Sequence, residues 1–145
     1  MASRCDELNH SDRCLEKLAD ALVDVYDTSR CSVVLEEAIK LQEEVLLLRP
    51  LGHNRRDVAF SDLGLSLWRF CEYESRDDAR MSRCITVLTE ALQLRALGHP
   101  SRASSLGSLA IALHTRFEQQ GGMDTLAKVI ELHREALQLL SLIHI

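Results

Sequence analysis

The stretch Leu48–Arg56, "LRPLGHNRR", is written again, nearly unchanged, as Leu94–Arg102, "LRALGHPSR", 46 residues later. Glycine, histidine and arginine in one short run could form a site. They could also punctuate copies of one structural unit. The residues on either side decide between these readings. After the first run comes Phe60-x-x-Leu63-Gly64-x-x-Leu67, and after the second comes Leu106-x-x-Leu109-Ala110-x-x-Leu113. A third version, Leu15-x-x-Leu18-Ala19-x-x-Leu22, follows His10-Ser11-Asp12-Arg13. Large apolar residues at i, i+3 and i+7 form one buried stripe of an α-helix. The small residue at i+4 lets a second helix approach closely.

That second helix is legible three times. Glu36–Arg49, Ser82–Arg95 and Ala127–Leu140 align without gaps. Ile39, Ile85 and Ile130 coincide, as do Glu44, Glu90 and Glu135. Small residues recur at Ala38, Cys84 and Val129 and again at Val45, Ala91 and Ala136. Polar connectors, "DTSR", "ESRDD" and "QQGGMD", separate the two helices of each unit, a length suited to antiparallel neighbours. Asp78 and Asp124 are the expected N-caps, and Gly121 and Gly122 the expected helix end. The units are therefore residues 10–52, 53–98 and 99–139, preceded by a loose segment, 1–9. Equivalent turns of stacked units lie about 10 Å apart, one helix diameter each, so the repeated histidines form a row rather than a cluster. Arg49 and Arg95 suit the negative end of the helix that each one closes. Structural punctuation is the simpler reading of both seams.

This pattern resembles tetratricopeptide repeats of the long variety, of about 42 residues, found in kinesin light chains. The phrasing from Gly98 to Leu139 looks closer still to tandem repeats of large fungal proteins. Those proteins often carry a caspase-like CHAT protease or a nucleotide-binding domain elsewhere. The resemblance implies an all-α fold: an α-α superhelix, or solenoid, of three helix-turn-helix repeats. It also implies a non-catalytic protein–protein interaction scaffold. The alternative is an assembly or autoinhibitory array serving an effector domain encoded outside this chain.

In such a family the first helix of each unit lines the concave wall. Positions there that lie off the packing stripe are the candidate contacts with a bound peptide. They are Glu16, Asp20, Val23 and Asp24 in the first unit, and Ser61, Leu65, Trp68 and Arg69 in the second. In the third they are Gly107, Ile111, His114 and Thr115. Glu16, Asp20 and Asp24 fall at i, i+4 and i+8, and so stack on one helix face. With Trp68 they could grip a basic peptide by charge complementarity and a cation–π contact. The alternative is a solvated helix face beside a gap-filling tryptophan.

Composition narrows the function classes. The chain has 145 residues, 46% of them hydrophobic and 4% aromatic, with a net charge of −5. Residues 1–50 hold eleven acidic and six basic residues, so the whole imbalance lies in the first third. An acidic chain lacks the basic stripe that nucleic acid requires. No apolar run reaches membrane-spanning length. The five cysteines are odd in number, form no C-x-x-C, and suit reduced thiols in a cytoplasmic protein. No metal-ligand spacing, nucleophile motif or cofactor signature occurs, so no catalytic residue, metal or cofactor is expected. The periodicity also predicts a third seam after Leu139. The chain reads "LSLIHI" there instead, Leu140–Ile145, which matches the translation of a common transposon-adapter end. A truncated third unit is expected to expose an apolar face and to self-associate through it.

Overall fold

The computed structural model describes residues 4–143, with side-chain surroundings for residues 11–141. It is all-helical: α1 (Arg4–Ser29), α2 (Ser32–Leu48), α3 (Arg56–Arg69), α4 (Asp78–Leu94), α5 (Arg102–Gln120) and α6 (Met123–Ile143). The helices pack in consecutive pairs, α1 on α2, α3 on α4 and α5 on α6, and each pair touches the next. Helix α1 already covers most of the segment expected to be loose, and His10 lies inside it rather than in a seam. At the other end α6 runs through Ile143, and residues 144–145 of the expected foreign tail lie outside the described residues. No helix among the described residues is long and apolar enough to cross a membrane.

In the second and third pairs the first-helix stripes read from the sequence are the buried ones. In the first pair Leu18 is 51% exposed, Leu15 and Leu22 are only partly covered, and α1 buries Asp12, Glu16, Ala19 and Tyr26 instead. Phe60, Leu63 and Leu67 of α3 meet Met81, Cys84, Val87 and Leu88 of α4 in one continuous core, which extends to Leu106, Leu109 and Leu113 of α5. The small position shows why it must be small. A Cβ on Gly64 would fall well inside contact distance of the Leu88 side chain, which is itself fully enclosed. The bare backbone there also accepts a hydrogen bond from the Cys84 thiol at 3.1 Å. Burial pushes that thiol's pKa up to about 12, which leaves it protonated and unreactive.

One irregularity follows from counting. Leu18 to Gln42 spans 24 residues and Leu109 to His133 also spans 24, but Leu63 to Leu88 spans 25. The middle pair must absorb one extra residue. It does so in a π-helical turn at Phe70–Glu74 directly after α3, where the Ser75 N–H reaches back five residues to the Phe70 carbonyl. A π turn is the way a helix takes in a single residue without losing its stripe. The helix start that follows corrects one expectation. Asp77, not Asp78, caps α4, its carboxylate accepting from the Arg80 N–H at 3.0 Å. Asp124 likewise sits in the first turn of α6 rather than before it, and the Gly122 carbonyl receives the Leu126 N–H. Gly121 ends α5 at φ +77°, as its sequence position predicts.

The two seams are built alike. Gly52 and Gly98 adopt φ of +89° and +92°, where side chains are strained. His53 donates its N–H to the Pro50 carbonyl, and His99 donates to Ala96. The Nδ1 atoms of His53 and His99 each accept the backbone N–H two residues on, both at 3.0 Å. Arg56 and Arg102 donate to the carbonyls of Arg49 and Arg95 at the preceding helix ends. The histidines are thus consumed by the turn itself.

Candidate functional site

The seam arginines one step earlier have a different task. Arg49 is completely buried, and its Nε donates to Asp12 on α1 at 2.6 Å. Its Nη1 donates to Glu16 at 3.2 Å, and Arg55 holds both oxygens of Glu16 at 2.7 and 2.8 Å. Burial alone would raise the Glu16 pKa. The hydrogen bonds from Arg55 and Arg49 outweigh it and hold the carboxylate ionised below its usual range. The next pair repeats the device more weakly: Arg95 donates to Asp57 at 2.8 Å, and its second group goes to the Ser105 hydroxyl. Asp12 and Asp57 are 45 residues apart, so the two ion pairs hold equivalent places, the first tying α1 to the end of α2 and the second tying α3 to the end of α4.

This network decides which of the expected contact residues are available. Glu16 is withdrawn from the acidic stripe into the ion cluster. Asp20 and Asp24 stay exposed, one and two turns further along α1. They open onto a groove of about 370 Å³ between α1 and α3, together with Val23, Leu65 and Arg69. Five of the residues singled out from sequence therefore meet in one place. Arg69 closes the rim, held by Asp27 at 3.0 Å. The others do not join them. Ser61 is buried in the helix packing. Trp68 is not free to stack on a ligand cation: its Nε1 donates to the Thr115 hydroxyl at 2.9 Å, and its ring meets Tyr73 edge-on. Thr115 is buried in that bond, Ile111 lies exposed on α5, and His114 pairs with Glu118 at 3.1 Å.

Sequence reading missed the groove's inner surface: Asp62 and Ser66 from α3 and Gln42 from α2. Burial raises the Asp62 pKa most, and the neighbouring carboxylates of Asp20 and Glu16 raise it further, to about 7. Asp20 is also raised, by partial burial and then by Glu16 and Asp24. The polarity of this lining is local, not a property of the repeat. At equivalent positions one step along, Gln42 becomes Leu88, Asp62 becomes Ser108, Ser66 becomes Ala112, and Asp20 becomes Leu65. A comparison of the three copies exposes these departures, but only once the register of the units is known.

Among the described residues, no three His, Cys, Asp or Glu side chains are grouped to hold a metal ion. Compared with known protein families, curated proteins and solved structures, the chain matches none.

Proposed function

We propose that this chain is a non-catalytic interaction module, a tetratricopeptide-like solenoid of three helical repeats, that binds a basic peptide or protein segment. The binding face is formed by the first helix of each pair, and the groove between α1 and α3 is its centre. One observation carries the reading: Asp20 and Asp24, from the acidic first third of the chain, converge with Asp62 on an open groove that Val23 and Leu65 also line. Support for the repeat architecture comes from the two matching seams and from the recurrence of the buried Arg–Asp pair. Replacing Asp20 and Asp24 together with Ser removes two charges and should leave the fold intact, since both side chains are exposed. A fluorescein-labelled lysine-rich dodecapeptide should bind this variant about tenfold more weakly, roughly 1.4 kcal/mol, and with a flatter salt dependence. Equal affinity at low and high salt for both proteins would sink the reading.

A second reading, an array that assembles with further helical units of a larger effector protein, rests on α6. Ile85 and Leu92 of α4 are partly covered against the core, whereas their equivalents Ile130 and Leu137 are 45% and 65% exposed. With Met123 and Leu140 they form one apolar stripe of the kind a neighbouring helix buries. A second copy can cover it. Light scattering should then show mass rising with concentration, and Leu137→Ser should return the chain to a monomer. A monomer at every concentration leaves the array reading without its support.

A further inference from the structure

The floor of the α1–α3 groove is unfinished. Gln42 is 4% exposed, yet its side-chain carbonyl oxygen accepts no hydrogen bond. Ser66 is fully enclosed, and its hydroxyl has no partner either. Buried polar groups are normally satisfied, and an orphan costs free energy that a leucine or alanine would avoid. The next step of the same architecture has those cheaper residues, Leu88 and Ala112. The polar pair is therefore not demanded by packing. Both residues border the groove onto which Asp20 and Asp62 open, with their orphan atoms enclosed beneath its surface.

The chemistry of the missing partner can be read from what waits for it. Gln42 Oε1 and the carboxylates are acceptors, and the Ser66 hydroxyl can accept as well. A ligand that satisfies them must be rich in donors and carry positive charge. Among the described residues no three acidic groups are close enough together to hold a metal ion, and the wider spacing suits an organic cation. The orphan acceptors are single oxygens on different helices. They suit a compact ammonium, whose three N–H bonds fan outward, better than a planar guanidinium, which seeks both oxygens of one carboxylate. Val23 and Leu65 supply apolar wall for an aliphatic stem.

We infer that this groove seats the ammonium of one lysine side chain, its stem along Val23 and Leu65 and its head among Gln42, Ser66, Asp20 and Asp62. This rests on the basic-segment reading above and names the residue that enters. Seating is coupled to a proton. Asp62 faces Glu16 and Asp20 from α1 and Arg49 and Arg55 from the seam between α2 and α3, while Asp24 and Arg69 flank the groove's outer part. Its pKa of about 7 leaves it largely protonated below neutrality. The arriving ammonium stabilises the anion, so the Asp62 proton leaves to solvent as the ion pair forms. Binding tightens as pH rises from 6 to 8.

The test is a heteronuclear NMR titration of the full chain with n-butylammonium, n-butylguanidinium and 1-butanol. Saturable shifts are expected at the Gln42 side-chain amide and at Ser66 for the ammonium. The guanidinium should bind at least fivefold more weakly, and the alcohol should not saturate. Affinity for the ammonium should rise at least threefold between pH 6 and pH 8. Gln42→Leu, which installs the residue found at the equivalent core position, should lose at least tenfold in affinity while still unfolding cooperatively. Ser66→Ala gives a second variant, expected to lose about threefold. Equal binding of all three probes, or butylammonium affinity unchanged in both variants, overturns the seat. If butylammonium gives no saturable shift at Gln42 and Ser66 while the lysine-rich peptide still depends on Asp20 and Asp24, the seat falls and the peptide-binding reading stands. If the peptide also fails to bind, both fall.

Discussion

Replacing Arg49 with methionine is expected to lower the unfolding free energy by about 3–5 kcal/mol, the cost of breaking a buried ion pair from one side. Methionine keeps most of the volume and the unbranched stem. What it removes are the donors to Asp12 and Glu16 and the one to the Arg55 carbonyl. Glu16 retains Arg55. Asp12, whose side chain is 2% exposed, keeps only the His53 ring at 3.7 Å. Asp12 is then left buried without a hydrogen-bonding cation. Urea unfolding followed by far-ultraviolet circular dichroism reads the loss. Adding Asp12→Leu to Arg49→Met removes the stranded partner and should recover part of the loss, a positive coupling that a merely steric defect would not show. Arg95→Met should cost less, because Asp57 is more exposed and can rehydrate.

The seams are legible in the sequence because their chemistry is local. A positive φ wants glycine, and a histidine two residues before an N–H can close the turn alone; both signals fit within nine residues. The arginine three residues before each glycine is visible too, but locally it reads as a partner for the end of its own helix. Its side chain instead crosses to the first helix of the pair, to partners 37 and 38 residues away in sequence. Anchoring the first unit on His10 hides that partnership, since it offsets Asp12 from Asp57. The leucine stripes require a spacing of 45, at which the two aspartates coincide. The groove is half legible for the same reason. Asp20 and Asp24 announce themselves by helical spacing on one exposed face. Gln42 and Asp62 act only where three helices meet, and nothing in the sequence near either residue says that they meet. Trp68 illustrates the opposite case. Its chemistry suggests a ligand contact, but tertiary packing uses its N–H on Thr115, 47 residues on.

Asp62→Asn is expected to stabilise the protein at pH 8 by about 2–4 kcal/mol and to leave it nearly unchanged at pH 4. The sign follows from proton counting. The folded pKa, about 7, lies above the ordinary value of 3.8 that the unfolded chain presents. Between those values the folded state holds a proton that the unfolded state has released, so stability falls as pH rises and levels off above about 7. The whole interval between the two values is worth about 4 kcal/mol at most. Asparagine cannot titrate, and the variant escapes that decline. Glu16 and Asp57 act in the other direction. Their pKa values are depressed, so the stability they add is present above their unfolded values and lost on acidification. They are common to both proteins, and the difference between variant and parent isolates Asp62. Urea midpoints at pH 4, 6 and 8 are enough, and a difference that does not change with pH would show that Asp62 does not titrate in this range. The same comparison with saturating n-butylammonium joins stability to binding. A bound ammonium stabilises the Asp62 anion, so the parent should recover at pH 8 much of what the variant gains. The fold keeps a carboxylate there at a cost that only a cation removes.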